Sequence, residues 1–591
     1  MILRSRWADS VCSENPLPEY PRPQLVRPQW VNLNGKWDAS IHAPDTEPVF
    51  SDSILVPFPA GSALSGFNHV LQPDEVLTVR TFFENPLIDG SDCLRLHFGA
   101  VDWACTIWVN GNKVGAHEGG FDPFHVDITN ALTTEPIQEL VVSITDPTDT
   151  GDQPVGKQTL NPFAIQYTAV AGIWQTVWLE PIPQTCIEHV YTQTRISKNV
   201  VEVFCSTTNA TPDSHLRVVC LYDSKIIYEV SESINEEEIS LCLSFEELRL
   251  WCPDDPFLYD LVIEIIDANG VVVDAVQSYF GAREISYQPD EDGYLRLTLN
   301  GSPVFHLGLL DQGWWPDGLY TAPTDEALAF DIEATLAMGF NTIRKHVKVE
   351  PARWYWHADR LGVLVWQDMP STAFNMVAFG EELKAGVQPE DMDWDKISPG
   401  NDPKGFRNEL DAMIHALRPF PSIVVWVPFN EAWGQHDTDA TLAHVMELDP
   451  SRLVDGPSGW TDTGSGHMRD HHLYQNPEKL PEHEPGRVTV YGEFGGISLH
   501  VDGHTMLEKG WGYTKATTES DLLDSYEDLM RVIADLVPKG LAGVIYTQTT
   551  DVESEINGLL TYDRVYKVAP DQLHSINKPI TLSCTRLFKC I

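Results

Sequence analysis

Two glutamates, Glu431 and Glu493, each follow a short apolar run that is typical of a β-strand, at residues 423–430 and 488–492. In a barrel of parallel strands, the side chains that do chemistry sit at the C-terminal strand ends. Two carboxyls held there about 5 Å apart can cleave a glycosidic bond with retention, one protonating the leaving oxygen and the other attacking the sugar. The pair therefore predicts glycoside hydrolysis, provided that the chain builds such a barrel.

The C-terminal half alternates strand-like and helix-like segments, which is typical of βα units. Strand character is found at residues 304–309, 341–344, 364–367, 423–429, 452–455, 468–472, 489–492 and 543–546. We predict helices from near Thr324, along the apolar face from Phe406 to Leu417, and from about Ser520 to Leu536. The third connection, 371–403, is expected to be long and irregular and to shape the pocket rim. Eight strands predict a (β/α)₈ TIM barrel over residues 285–591.

The first half of the chain is predicted to be all β. Thr106 to Val109 alternate and run into Asn110-Gly111, which is a strong hairpin signal. We predict a jelly-roll β-sandwich over residues 1–184. Residues 185–284 are predicted to form an immunoglobulin-like β-sandwich. The fold class is thus multidomain β plus α/β.

The composition excludes several kinds of partner. The 591 residues carry a formal net charge of −47, from 86 acidic and 39 basic residues. Such a field repels phosphate backbones and anionic membrane surfaces, so we expect no nucleic acid and no membrane partner. The N-terminus has no apolar core typical of a signal peptide, and a cytoplasmic location is expected. The ten cysteines contain no CxxC pair, which predicts neither a zinc site nor a disulfide framework.

Several short motifs occur in a fixed order along the chain. They are Leu33–Trp37, His117–Phe124, Gly172–Gln175, Ile343–His346, Asn430-Glu431 and Tyr491–Glu493. In this order the chain resembles glycoside hydrolase family 2, which joins a jelly roll, an immunoglobulin-like domain and a (β/α)₈ barrel. The resemblance implies that Glu431 is the general acid/base, that Glu493 is the nucleophile, and that Asn430 hydrogen-bonds the sugar 2-hydroxyl. It implies no cofactor.

Further residues at predicted strand ends are candidates for substrate binding. Arg344 is expected to keep Glu493 ionised, with a purely structural ion pair as the alternative. Glu431 is expected to be protonated at rest because of the like charge of Glu493. His472 and Tyr474 should point the same way and contact substrate. His471 should face the opposite side, so no metal role is expected for the histidine pair.

Other candidates come from the remaining loops. Asp368 is expected either to bind a hydroxyl or to be a capping or buried acid. Trp433, Trp460 and Trp511 are suited to stacking on a sugar, and core packing is the alternative for each. Tyr167 of the jelly roll is a candidate to reach the barrel mouth.

Departures from the family pattern bear on the sugar. Glucuronidases of the family carry an Asn-x-Lys element, whereas residues 555–564 contain no lysine. Strand eight ends with Gln548 and lacks the Trp found in related barrels, and no match exists for the magnesium ligands of large β-galactosidases. These features resemble a compact subgroup that includes β-galactofuranosidases. We therefore expect an exo-acting retaining glycosidase for a neutral β-D-galactofuranoside or β-D-galactopyranoside.

Other readings stay open at this stage. The chain can also be a β-glucuronidase, a β-mannosidase, a glucosaminidase or a non-catalytic carbohydrate-binding protein. The expected partner is a small-molecule carbohydrate, and a homo-oligomer is allowed by the sequence.

Overall fold

The structure, a computed structural model, describes residues 3–87, 92–387, 391–398, 402–474, 477, 480, 484–507 and 510–586. The chain folds into a jelly roll, an immunoglobulin-like sandwich and a (β/α)₈ barrel, which confirms the predicted fold class.

The first part packs two antiparallel sheets around an apolar core that includes Trp37, Leu96 and Ile107. One sheet has the strand order Val31–Asn32, Val177–Ile182, Cys93–Phe98, Phe124–Asp127. The other has the order Asp52–Val56, Gly35–His42, Val76–Glu84, Ile137–Thr145, Ala104–Val109, Asn112–Glu118. Asn110 and Gly111 form the predicted hairpin turn, and both have positive φ, at 50° and 77°.

The second part is a smaller sandwich. One sheet orders the strands Cys186–Arg195, Val200–Thr208, Glu238–Ser244. The facing sheet orders the strands Lys225–Ser233, His215–Tyr222, Tyr259–Ile266, Val272–Phe280. Alternate residues of both sheets, such as Val203 and Leu216, fill the core between them.

The third part is a barrel of eight parallel strands. In chain order they are His306–Asp311, Thr342–Lys345, Leu364–Asp368, Ile423–Val427, Leu453–Val454, Met468–Leu473, Val488–Gly495 and Leu541–Thr547. A parallel bridge between Asp455 and Met468 joins the fifth strand to the sixth. Each strand overlaps one that the sequence predicts, with ends that differ by up to three residues.

An antiparallel unit precedes the barrel and covers its N-terminal end. Its strands are Ile285–Pro289, Leu295–Leu299 and Ser302–Pro303. Arg296 donates to the carbonyl of Leu541, where the eighth strand begins. The C-terminal end of the barrel is thus left to carry the functional groups.

The helices of the described chain surround the barrel. They run over Asp325–Ala337, Ala352–Leu361, Met376–Lys384, Trp394–Ile397, Pro403–Leu417, Thr438–Leu448, Glu519–Leu536 and Pro570–Arg586. The predicted start near Thr324 is confirmed, because its side chain accepts from Ala327 N–H and caps the helix. The sequence analysis did not assign the helices at 352–361, 438–448 and 570–586.

The prediction that connection 371–403 is irregular was wrong for its described part. Asn375 caps a helix, Met376–Lys384, by accepting from Ala378 N–H. A short helix, Trp394–Ile397, follows. Phe379 and Trp394 of these helices pack on Phe374 in an aromatic cluster, and this packing orders the connection. Residues 388–390 and 399–401 of the connection lie outside the described part of the chain.

The structure also shows the state of the cysteines and whether a helix could span a membrane. The cysteines from Cys12 to Cys252 are free thiols, whereas the side chain of Cys584 and all of Cys590 lie outside the described part. Among the described residues, no helix is both long enough and apolar enough to cross a membrane.

Candidate active site

Glu431 and Glu493 lie at the C-terminal end of the barrel, and both are buried. Glu431 follows the fourth strand in left-handed backbone, with φ of 50°, and Ala432 continues it at 64°. Two backbone hydrogen bonds fix this turn, from Glu431 N–H to Ser458 O and from Trp433 N–H to Asn430 O, both 2.9 Å. Left-handed backbone is unusual for residues other than glycine and occurs at functional sites, where the surrounding structure holds it.

The two carboxylates are close together. Glu431, His472 and Glu493 each present one ligand atom, and these atoms lie within 4.8 Å of one another. This closeness matches the roughly 5 Å spacing of a retaining glycosidase and is too short for the intervening water of an inverting one. The same three atoms could receive a divalent cation, which would then compete with the proton of His472 for both carboxylates.

His472 lies between the two glutamates. Its Nδ1 is 2.6 Å from Glu431 Oε1 and 3.5 Å from Glu493 Oε1. Its Nε2 is 2.8 Å from Ser458 Oγ, and that hydroxyl donates to Asp470 Oδ2 at 2.6 Å. Burial alone would lower the pKa of His472, but the charge of Glu493, the nearby Asp470 carboxylate and the hydrogen bond to Glu431 raise this pKa to about 10.

An imidazolium at this position changes the electrostatics that the sequence suggested. Repulsion from Glu493 was the reason for expecting a protonated Glu431 at rest. The structure adds a cation, His472, whose Nδ1 lies within hydrogen-bonding distance of Glu431 Oε1. The hydrogen bond between His472 and Glu431 therefore places an exchangeable proton at this carboxyl.

Within the described part of the chain, one carboxylate oxygen of Glu493 is hydrogen-bonded and the other is not. The Tyr474 hydroxyl donates to Oε2. Oε1 has no hydrogen-bond partner among the described residues, although Arg344 Nη1 lies 3.5 Å away and His346 Nδ1 lies 4.0 Å away. The unpartnered oxygen is the one available for attack on a sugar.

Arg344 is fixed by its neighbours at the end of the second strand. Its guanidinium donates to both oxygens of Asp368 at 3.0 and 3.1 Å, to Asn430 Oδ1 at 2.7 Å and to the Gly492 carbonyl at 3.1 Å. Arg344 thus forms the structural ion pair with Asp368 and also lies 3.5 Å from Glu493, so both alternatives expected for this residue hold together. Asp368 is fully buried, and both of its carboxylate oxygens accept from Arg344.

Asn430 presents a free donor. Because Arg344 occupies its Oδ1, its amide orientation is set, and the buried Nδ2 has no partner among the described residues. An unpaired buried N–H is costly unless a ligand accepts from it. Its place beside Glu431 suits the predicted contact with a sugar 2-hydroxyl.

The jelly roll contributes to the barrel mouth. The buried Tyr167 hydroxyl donates to Glu555 Oε2 of the barrel, so this jelly-roll residue does reach the barrel mouth. The N–H groups of Val155 and Gly156 donate to Ser371 O at 2.8 Å and dock their loop on the barrel. This loop carries Lys157, whose Nζ lies 5.4 Å from the Trp433 ring centroid.

Lys157 and Glu555 are functional candidates that the sequence analysis missed. Among the described residues, no acidic oxygen lies within 4.0 Å of Lys157 Nζ, although the side chain is only 6% exposed. Lys157 sits in a loop without a motif, so no sequence signal marked it. Glu555 begins the segment that was compared with the Asn-x-Lys element, and that comparison could have identified it.

The remaining candidates lie around this centre. Gln548 is fully buried, accepts from Gln312 at 2.9 Å and donates to Asn557 at 2.8 Å, so both of its amide atoms are used within the protein. Trp460 and Trp511 are half-buried at the rim. Trp511 packs edge-on to Tyr513, with ring centroids 4.7 Å apart.

Family models match the chain in the order of these parts. The galactose-binding domain-like model of glycosyl hydrolase 2 matches residues 71–172, the model of glycosyl hydrolases family 2 matches 185–283, and the family 2 TIM barrel model matches 321–474. Together they cover more than half of the chain. The protein belongs to glycosyl hydrolase family 2. The barrel match includes Glu431 and ends before Glu493.

Curated relatives are similar at low identity. A β-galactosidase from Thermoanaerobacter pseudethanolicus is 24% identical over 453 residues, covering 74% of this chain and 53% of the relative. A β-galactosidase from Halalkalibacterium halodurans is 23% identical over 443 residues, covering 72% of this chain and 38% of the relative. The aligned part of this chain thus spans about half or less of the length of these relatives.

Solved structures share the fold. A β-glucuronidase from Ruminococcus gnavus superposes with a TM-score of 0.75 at 18% identity, covering 95% of this chain and 99% of that one. A β-galacturonidase from Eisenbergiella tayi bound to glycerol gives a TM-score of 0.69 at 16% identity, covering 95% and 98%. At these sequence identities the similarity shows a common fold and nothing beyond it.

The raised pKa of His472 predicts a pH-dependent contribution to stability. A pKa raised above 6.5 gives a contribution that is complete below pH 6.5 and is lost as the pH rises to about 10. We expect His472→Gln to destabilise the protein most at pH 6.5 and below, and this destabilisation to shrink by up to about 1.4 kcal/mol per pH unit as the pH rises from 6.5 to 10. Thermal unfolding of both proteins across this range measures it.

The control is His444→Gln, which removes a half-buried histidine from the outer helix Thr438–Leu448. A destabilisation by His472→Gln that stayed constant from pH 6.5 to pH 10 would contradict an imidazolium between the glutamates.

Proposed function

We propose that the protein is an exo-acting β-glycosidase that hydrolyses its substrate by double displacement with retention. The observation that carries this proposal is the closeness of Glu431 and Glu493 in unlike surroundings. Glu493 Oε1 attacks the anomeric carbon while Glu431 protonates the leaving oxygen, so the glycosidic bond breaks as the glycosyl ester forms. Water then attacks the ester, Glu431 takes the water proton, and Glu493 leaves as a carboxylate.

His472 supports both halves of this cycle. Before the first step, the proton that Glu431 delivers is held between Glu431 Oε1 and His472 Nδ1. When Glu493 becomes an ester, its negative charge disappears and His472 interacts with Glu431 alone. Delivery of the shared proton has by then left a neutral His472 beside the Glu431 carboxylate, which is the form required of the base.

The sugar is proposed to be neutral and of galactose type, either β-D-galactofuranoside or β-D-galactopyranoside. Relatives named β-galactosidase support this. Glu555, held by Tyr167 and by Asn557 Nδ2, supplies a carboxylate beside the catalytic centre. A carboxyl in that wall offers oxygen acceptors to the hydroxyls of a neutral sugar.

A uronic acid is the second candidate, and Lys157 is the observation that favours it. An ammonium at the barrel mouth that has no acidic oxygen within 4.0 Å among the described residues, and only a longer-range interaction with Glu555, is suited to a sugar carboxylate. Here the jelly roll supplies the lysine that is missing from residues 555–564.

The roles of the two glutamates are tested by their alanine variants. We expect Glu493→Ala to lose at least about 10⁴-fold in turnover, because the nucleophile is gone. Glu431→Ala should lose about 10²- to 10⁴-fold. Azide should then restore its activity on activated aryl glycosides and give the β-glycosyl azide, since the small anion reaches the ester without a base.

NMR determines the anomeric configuration of the glycosyl azide product. An α-azide from Glu431→Ala, or near-normal turnover by Glu493→Ala, would contradict the assignment. Asp411→Ala removes an acid on an outer helix and is the control.

The choice of sugar is tested with aryl β-D-galactofuranoside, β-D-galactopyranoside and β-D-glucuronide. We expect turnover of one galactoside and at least about tenfold lower kcat/KM for the glucuronide. Lys157→Met separates the two candidates. If the substrate is a uronide, the variant loses kcat/KM on the glucuronide selectively. Preference of the parent protein for the glucuronide would contradict the neutral sugar and leave the glycosidase mechanism intact.

A further inference from the structure

Five aromatic rings form a contiguous cluster beside the acid/base carboxyl. This aromatic cluster consists of Phe374, Phe379, Trp394, Trp433 and Trp460. The Phe374 and Trp433 rings stack with centroids 4.0 Å apart. The Trp460 ring lies nearly parallel to Phe379 and Trp394, with centroids 5.8 Å away in both pairs.

The cluster is attached to the backbone that holds Glu431. Trp433 follows Glu431 by two residues in the left-handed turn. Trp460 follows Ser458, whose carbonyl accepts from Glu431 N–H. Gly459 between them has a φ of 84°, and a Cβ there would meet His472 Nδ1 at 2.9 Å. The rings are therefore positioned by the same contacts that position the proton donor.

The cluster is buried on one side and open on the other. Phe374 and Trp433 are buried, whereas Phe379, Trp394 and Trp460 are half-buried. The helix Met376–Lys384, which carries Phe379, also exposes Val377 at 73% and Leu383 at 48%. The three half-buried rings therefore present apolar surface to a ligand on the open side of the cluster.

We propose that the aromatic cluster is the subsite for the leaving group and that it takes a flat aryl aglycone. This inference rests on the proposed function. A general acid must contact the glycosidic oxygen, so the leaving group extends past Glu431, on the side where the cluster lies. The nucleophile has separate aromatic neighbours, Tyr474 and Tyr513, which stack with centroids 3.5 Å apart.

The surroundings of the cluster favour an aryl group over a second sugar. Ile165, Met376 and Met392 pack with these rings and are themselves apolar. A planar aryl group gains from stacking on indole and phenyl faces and needs no hydrogen bonds. A second sugar would also require partners for several hydroxyls, whereas the buried Trp433 Nε1–H is a single donor without a partner among the described residues, and Ile165, Met376 and Met392 add none.

The test separates stacking from leaving-group acidity. For the sugar that the parent protein accepts, kcat/KM is measured on the phenyl glycoside, on the hexafluoroisopropyl glycoside, whose alcohol is similarly acidic, and on the glycosyl fluoride, which has no aglycone. We expect the parent protein to prefer the phenyl over the alkyl glycoside by about 3- to 10-fold. Phe379→Leu and Trp460→Leu each remove a ring and retain apolar bulk, and each should reduce this preference by a similar factor.

Phe82→Leu is the matched control, because it removes a half-exposed ring from the jelly roll. No preference for the phenyl glycoside in the parent protein, or equal losses on all three substrates in both ring variants, would overturn the aglycone subsite. Absence of fluoride turnover for every sugar tested would overturn the proposed function and this inference with it. A lost preference with retained fluoride turnover supports both.

Discussion

Two carboxylates less than 5 Å apart repel each other, and the active centre depends on the cations that offset this repulsion. At 4.8 Å and an effective dielectric constant near 20, two unit charges repel by about 3–4 kcal/mol. Arg344 and His472 each have a nitrogen 3.5 Å from Glu493 Oε1, and His472 Nδ1 is also hydrogen-bonded to Glu431. The site is therefore a compact set of two anions and two cations at the open end of the barrel.

The surrounding structure serves mainly to hold this set in place. Asp368 fixes Arg344, Ser458 links His472 to Asp470, and a left-handed turn aims Glu431 at the centre. Removal of any one of these contacts would leave a buried charge or donor unpaired, which costs more than the contact itself contributes. The barrel supplies the rigid strand ends, and the jelly roll closes the mouth through Tyr167.

Much of this arrangement was predictable from local pattern. The eight strands follow from apolar runs between helical segments, and Arg344 was foreseen as the cation near Glu493. The bridge that His472 forms between the two glutamates could not be predicted. The alternation of residues along a strand tells which side a side chain faces, but not its distance from Glu431, which is 41 positions away in the sequence. Lys157 and the ring packing of residues 374–394 depend on contacts between distant segments, which no local periodicity records.

The central claim is that Glu493 forms a covalent glycosyl ester. A 2-deoxy-2-fluoro-β-D-galactosyl fluoride slows the breakdown of that ester, and mass spectrometry of a digest locates the label. The account predicts one added fluorosugar, carried by the peptide that contains Glu493, and increased labelling of intact protein in Glu431→Ala, in which ester breakdown is slower still. A label on another carboxylate would contradict it. Hydrolysis of the reagent with inversion and without labelling would do the same.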